Sequence, residues 1–128
     1  MSEDEIRARG METRRDVLGD EHVDRAIART TQFTEPFQDL ITRYAWGEIW
    51  SRPGLDRRTR SCVTLTALVA TGREHELAMH VRAALGNGVT REEIGELITH
   101  LVFYCGWPIG NNACQIAAEV FAERDASG

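Results

Sequence analysis

The stretch EHELAMHVRAALGNGVTREEIGELITHLVFYCGWP, residues 74–108, decides the fold. In its second half Ile94, Leu97, Ile98, Leu101, Val102 and Cys105 recur at intervals of three and four, the spacing of one helix face. Thr90 and Glu93 stand in the T-R-E-E order of a capping box, which starts that helix. Gly86-Asn87-Gly88 closes the helix before it, and Gly106-Trp107-Pro108 breaks the pattern after it. The opening EHELAMH resembles a displaced HExxH zinc motif, but His75 and His80 are five apart. At 3.6 residues per turn that separates them by about 140°, so one ion cannot easily take both. The zinc reading fails on geometry.

Outward from this stretch the helical pattern continues. Asp56 or Thr59 opens a helix through the apolar run to Thr71, with Gly72 at C′. Thr34 precedes EPFQDLITRYAWGEIW, where Pro36 suits a first helical turn and Phe37, Leu40, Ile41, Tyr44 and Ile49 supply much of an apolar face. SRPG then signals a turn. DEHVDRAIARTT predicts a short helix with Asp20 as N-cap, and a charged helix covers about 3–17, ending near Gly19. A last helix is expected from about 109 to 123. No strand or hairpin pattern is present. The expectation is an all-α single domain over 1–128, of six or seven helices, with 1–30 as a more polar N-terminal arm.

Composition narrows the function. With 128 residues the chain suits one core, and its apolar share of 42% is ordinary. No run approaches the roughly 18 to 20 apolar residues of a membrane span. The opening MSEDEIRARGMETRRD is charged throughout, without the apolar core of a secretory signal, so a cytoplasmic protein is expected. Net charge is −5 with no basic tail, which argues against a nucleic-acid partner. Cys62, Cys105 and Cys114 form no CxxC and read as reduced thiols, the first two as small buried residues. All fifteen basic residues are Arg, so lysine Schiff-base chemistry and lysine-anchored pyridoxal phosphate are closed.

Several side chains stand out, each with two readings. His80 lies at the edge of an apolar face with Leu77, Val81 and Ala84: a satisfied core histidine, or a functional imidazole that Glu76 could orient from four residues earlier. His75 points elsewhere, toward solvent. Glu48 sits between Trp46 and Trp50; aromatic surroundings would raise its pKa and make it a proton donor or base, whereas at a helix end it is an ordinary carboxylate. YCGWPIGNNA offers a helix start with free N–H groups beside Asn111 and Asn112, suited to an oxyanion, or a tight corner anchored by Trp107. Arg52, Arg57, Arg58 and Arg60 form a carboxylate-binding patch or a solvated helix start, although four positive charges there oppose the helix dipole.

VLGDEHVDRA (17–26), RYAWGEIWSRPGLDRRTRS (43–61), the 74–108 stretch and the NNA after it together resemble the γ-carboxymuconolactone decarboxylase family. The resemblance covers about 12 to 122, with the blocks in matching order and spacing. It implies a cytoplasmic, cofactor-free enzyme of the protocatechuate branch of the β-ketoadipate pathway. That enzyme converts 4-carboxymuconolactone into β-ketoadipate enol-lactone and carbon dioxide. The all-α fold shared with alkylhydroperoxidase D and a homo-oligomer, typically a hexamer, are implied as well. The peroxidase relatives carry a CxxC whose second Cys lies four before a His; here Arg73 and Glu76 occupy those places ahead of His80. The resemblance therefore keeps the histidine and loses the redox pair.

On that reading His80 is the general acid and Glu48 tunes or relays its proton. Arg52 and Arg60 are candidates for the substrate's acetate arm, and Trp107 walls the pocket. Asn111 belongs to the helix start that offers oxyanion donors, and His22 reaches across a subunit interface. The chemistry needs no metal or cofactor, because the departing electron pair enters the conjugated lactone carbonyl. The alternatives are a superfamily member acting on peroxides or another lactone, and a non-catalytic helical oligomeric binding module.

Overall fold

The computed structural model describes all 128 residues and contains helices only. In order these are α1 (Glu3–Leu18), α2 (Asp20–Ala28), α3 (Glu35–Leu40), α4 (Arg57–Ala70), α5 (Glu74–Gly86), α6 (Arg91–Cys105) and α7 (Trp107–Ser127). Helix α3 continues without a break into a π-helical segment, Ile41–Ile49. The chain divides into two compact units, Met1–Arg57 and Arg58–Gly128.

In the first unit α1 packs along the π-helical segment. Ser2 and Glu5 make a capping box at its start, so its first amides are satisfied although the helix is charged. What allows close packing is the absence of side chains. A Cβ on Gly10 would lie 1.9 Å from the Thr42 carbonyl oxygen, and one on Gly47 would lie 2.7 Å from that of Ile6. The two backbones therefore touch at glycine on both sides.

The π-helical winding changes which face turns inward. An α-helical period selects Phe37, Leu40, Tyr44 and Ile49 for the core, yet all four are exposed. The buried residues are Thr42, Trp46 and Gly47, spaced four and then one, and the Trp50 amide bonds back five residues to Ala45 at 2.9 Å. Two other expectations also shift. Gly19, at φ 88°, stands where Asp20 was expected as N-cap, and no side chain caps α2. Residues 1–30, expected as an arm, contribute Thr13, Arg14, Val17 and Val23 to the buried set.

The second unit is the more apolar. Leu65 and Val69 from α4, Leu77, Val81 and Ala84 from α5, Ile94, Ile98 and Leu101 from α6, and Ala113, Ala117 and Val120 from α7 form one core. Burying each Leu, Ile or Val side chain contributes about 1.5–3 kcal/mol. The surface pairs Arg82–Glu123 and Arg91–Asp125 also link these helices, but exposed pairs contribute about 0–1 kcal/mol each, so the apolar contact dominates.

Both turns that end α4 and α5 close as the glycines suggest. Gly72 (φ 70°) and Gly88 (φ 93°) take the left-handed position, and the amides of Arg73 and Val89 return to the carbonyls of Leu68 and Ala84 at 2.9 and 3.0 Å. The Thr90–Glu93 capping box forms at the start of α6. Helix α7 begins two residues earlier than expected, because Gly106 at φ 99° turns the chain at once and Pro108 fits the first helical turn.

These contacts set an opposition between two glycines. Gly10→Ala is expected to lower unfolding free energy by about 3 kcal/mol or more, since backbone cannot yield to the new methyl. Gly95→Ala, within α6 where nothing lies within 4 Å of the new Cβ, should raise it by roughly 0.5–1 kcal/mol. Urea titration followed by circular dichroism measures both.

Candidate functional site

Each unit holds part of the residue set singled out by sequence. In the second, α5 repeats Leu77, His80, Val81 and Ala84 on one buried face, and His80 is 9% exposed. An imidazole so placed is largely withdrawn from bulk water, while His75 and Glu76 on the same helix are exposed. Arg60 is half-buried on α4. Ser61, the next residue, is buried and accepts a hydrogen bond from Asn87 Nδ2 at 2.9 Å, which ties α4 to the end of α5.

Besides an open, polar depression of about 360 Å³ beside Arg82 and Glu123, two hollows open in this unit. The smaller, about 30 Å³, is lined by residues of α4, α5 and α7 including Leu68, Arg73, Leu77 and Asn112. It is of water size, not substrate size. The larger, about 340 Å³, lies between α6 and α7 and brings together Trp107 and Asn111 with Ile98, Thr99, Val102, Phe103, Gly110 and Cys114. That volume falls in the range of small-molecule sites. His80 lines neither hollow.

Helix α7 starts at Trp107, and the Gly110 amide already bonds to the Gly106 carbonyl at 3.3 Å. Its open N–H groups are therefore those of Trp107 and Ile109, Pro108 having none, and Asn111 lies two residues further in than expected. Gly110 was not singled out by sequence. A Cβ there would meet Val102 Cγ2 at 2.3 Å, so the groove floor depends on its absence. A glycine inside a helical pattern was the available signal. No three His, Cys, Asp or Glu side chains converge as a metal site. Cys62 and Cys105 are partly buried against the core, and Cys114 is exposed at the groove.

The first unit holds Glu48, Arg52 and His22. Glu48 is not enclosed by the tryptophans, because Trp46 and Trp50 stack on one another with ring centroids 5.3 Å apart. Its side chain is 44% exposed and faces Arg9 Nη2 at 3.5 Å, while Arg9 Nε donates to the Gly47 carbonyl at 2.9 Å. Arg52 is exposed in the turn after the π-helical segment, and His22 is half-buried on α2 next to Val23. The arginine run does not act as one patch: Arg57 is held by Asp16 at 3.3 Å, and Arg58 pairs with Glu93.

The strongest electrostatic feature of this unit was not singled out by sequence. Arg7 Nε and Arg43 Nε both donate to the Asp39 carboxylate, at 2.6 and 2.8 Å, linking α1 to α3 and the π-helical segment. Hydrogen bonds from the two guanidinium groups draw the Asp39 pKa down to about 2.

The protein is all-helical, and its second unit holds a withdrawn imidazole and, apart from it, a groove of small-molecule size. Residues 35–119 match the model of the carboxymuconolactone decarboxylase family. The chain is 49% identical over 123 residues to a 4-carboxymuconolactone decarboxylase of Acinetobacter baylyi, covering 96% of this chain and 92% of that one. It is 48% identical over 99 residues to a nitrosuccinic acid decarboxylase of Metarhizium robertsii, covering 77% and 69%. A 4-carboxymuconolactone decarboxylase of Pseudomonas putida matches at 51% over 39 residues, 30% of this chain and 81% of the other. The chain belongs to the carboxymuconolactone decarboxylase family.

The Asp39 cluster carries a pH signature. A carboxyl depressed to about 2 when folded stabilises fully above its unfolded value of about 4, and the contribution fades as pH falls from about 4 toward 2. Asp39→Asn is expected to flatten the stability decline in that window. Denaturant midpoints across a pH series, wild type against variant, read the difference.

Proposed function

We propose that this protein decarboxylates 4-carboxymuconolactone to β-ketoadipate enol-lactone and carbon dioxide, without a cofactor, in protocatechuate catabolism. The carrying observation is 49% identity over nearly the whole of both chains to a decarboxylase of that lactone.

The chemistry asks little of the protein. When the carboxylate leaves, its electron pair passes through the conjugated ring to the lactone carbonyl, giving a dienolate. The enzyme must hold the retained acetate arm, stabilise the oxyanion and return one proton to carbon. His80 is the proton donor, and its place on the buried face of α5 supports that role because little bulk water competes there for the reacting carbon. Glu48 is the second acid–base group. Arg52 and Arg60 are the cations for the acetate arm. Trp107 walls the substrate, the α7 start with Asn111 supplies oxyanion donors, and His22 comes from a neighbouring subunit. The leaving carboxylate belongs where cations do not overstabilise it, since ground-state binding there would oppose its loss.

A second substrate has a specific observation behind it. Nitrosuccinic acid, named in the Metarhizium relative, is also a dicarboxylate with an electron acceptor next to one carboxylate, here a nitro group. The two substrates share one logic: an internal electron sink, a leaving carboxylate and a retained one.

His80→Ala, with the fold checked by circular dichroism, should lower kcat on 4-carboxymuconolactone by roughly 10²–10⁴-fold. Wild-type turnover in the variant overturns the acid assignment. Faster release of carbon dioxide from nitrosuccinate than from the lactone overturns the substrate assignment.

A cytoplasmic homo-oligomer, a hexamer, completes the reading. No helix is long and apolar enough to cross a membrane. Phe33 (93% exposed), Phe37, Leu40 and Tyr44 in the first unit, and Phe103 (87%), Tyr104 and Trp107 (74%) in the second, are large apolar side chains left exposed. Such groups suit subunit contacts. Sedimentation velocity should give a particle about six times 14.4 kDa, which Phe37→Glu with Phe103→Glu dissociates; a 14.4 kDa wild-type species defeats the proposal.

A further inference from the structure

The first unit buries a cation that the proposed reaction does not use. Arg14, on α1, is 7% exposed. Its Nη2 donates to Gln38 Oε1 at 3.0 Å and its Nη1 to Thr42 Oγ1 at 3.4 Å, both neutral acceptors. Its Nε is buried and has no hydrogen-bond partner. Asp39 pairs with Arg7 and Arg43, Glu48 with Arg9, Asp16 with Arg57, and Asp20 and Asp24 with Arg15, while Glu35, in the same groove, forms no ion pair with Arg14. A guanidinium withdrawn from water without an anion is costly to hold charged. Burial, and secondarily the charge of Arg15, lower its pKa accordingly.

Arg14 forms part of the wall of an open groove of about 540 Å³ within this unit. Met11 and Ile27 give the groove an apolar side and Thr30, Thr31 and Gln38 a hydrogen-bonding one; Glu35 adds a negative charge, while Asp39 and Arg7, also in the wall, neutralise one another as an ion pair. We propose that this groove binds a short-chain monocarboxylate, with Arg14 as its counter-ion. The carboxylate accepts from the Nη protons that Gln38 and Thr42 leave unused, an anion of the kind a guanidinium favours. The alkyl tail lies against Met11 and Ile27. Glu35 disfavours multiply charged anions, and the volume suits a small molecule.

The probe is butyrate, measured by isothermal titration calorimetry and by the thermal unfolding midpoint. Wild type should bind one butyrate per chain, and butyrate at about ten times its Kd should raise the midpoint by about 5 °C. Sulfate should do neither. Arg14→Gln removes the cation but also loosens α1 from α3, so the decisive variant is Gln38→Glu. It is nearly isosteric and places a carboxylate beside Arg14 from within the chain. It should unfold no lower than wild type, keep wild-type turnover and lose both butyrate effects. Butyrate binding that persists in Gln38→Glu, or no binding by wild type, overturns the proposal. A fall in particle mass in Gln38→Glu, with no butyrate effect in wild type, also overturns it and assigns the anion to a second copy of the chain.

Discussion

Two helix contacts in this protein close where a side chain is missing. Gly10 lies against the Thr42 carbonyl, Gly47 against Ile6, and Gly110 against Val102, each closer than a Cβ would permit. The first two bring α1 onto the π-helical segment, and the third brings α7 onto α6. With the backbones so close, Arg14 on α1 can reach Gln38 and Thr42, and Arg7 and Arg43 can share Asp39. The same closeness in the second unit leaves Phe103 and Trp107 at the edges of a groove whose floor is Gly110.

Burial of polar groups is the second theme, and it separates structural charge from chemical charge. Most arginines lie on the surface in ion pairs, where solvent screens them. His80 and Arg14 differ because the fold withdraws both from water. For the imidazole this limits contact with bulk water, the property on which its proposed role as proton donor rests. For a guanidinium it leaves a demand for an anion. Neither group owes its place to local helix propensity; each is held there by the apolar and neutral polar residues around it.

Legibility in the sequence followed the range of the interaction responsible. The capping box at Thr90 and Glu93, the glycine stops at Gly72 and Gly88 and the apolar repeat of α6 were all readable, because each depends on residues within a turn or two. The inward face of the 35–49 helix is not legible from a 3.6-residue period. Its winding departs from 3.6 residues per turn, so Thr42 and Trp46 turn inward while Phe37 and Tyr44 stay out. The exposure of Glu48 is not legible for a related reason: Trp46 and Trp50 stack on each other and leave the carboxylate beside Arg9. Arg14 and Asp39 gave no signal, since a charge in a charged helix looks the same whether or not another helix covers it.

The sequence by itself determined that the chain is helical, where most helices begin and end, and which family it joins, because caps, glycines and ordered blocks are local patterns. It also singled out His80 as the histidine on the apolar face of its helix. Only the tertiary structure decided how deeply that imidazole is withdrawn, which arginines are engaged in ion pairs, and which one is buried without an acid. Those outcomes depend on distances between helices, and such distances are set by packing across the chain rather than by neighbours along it.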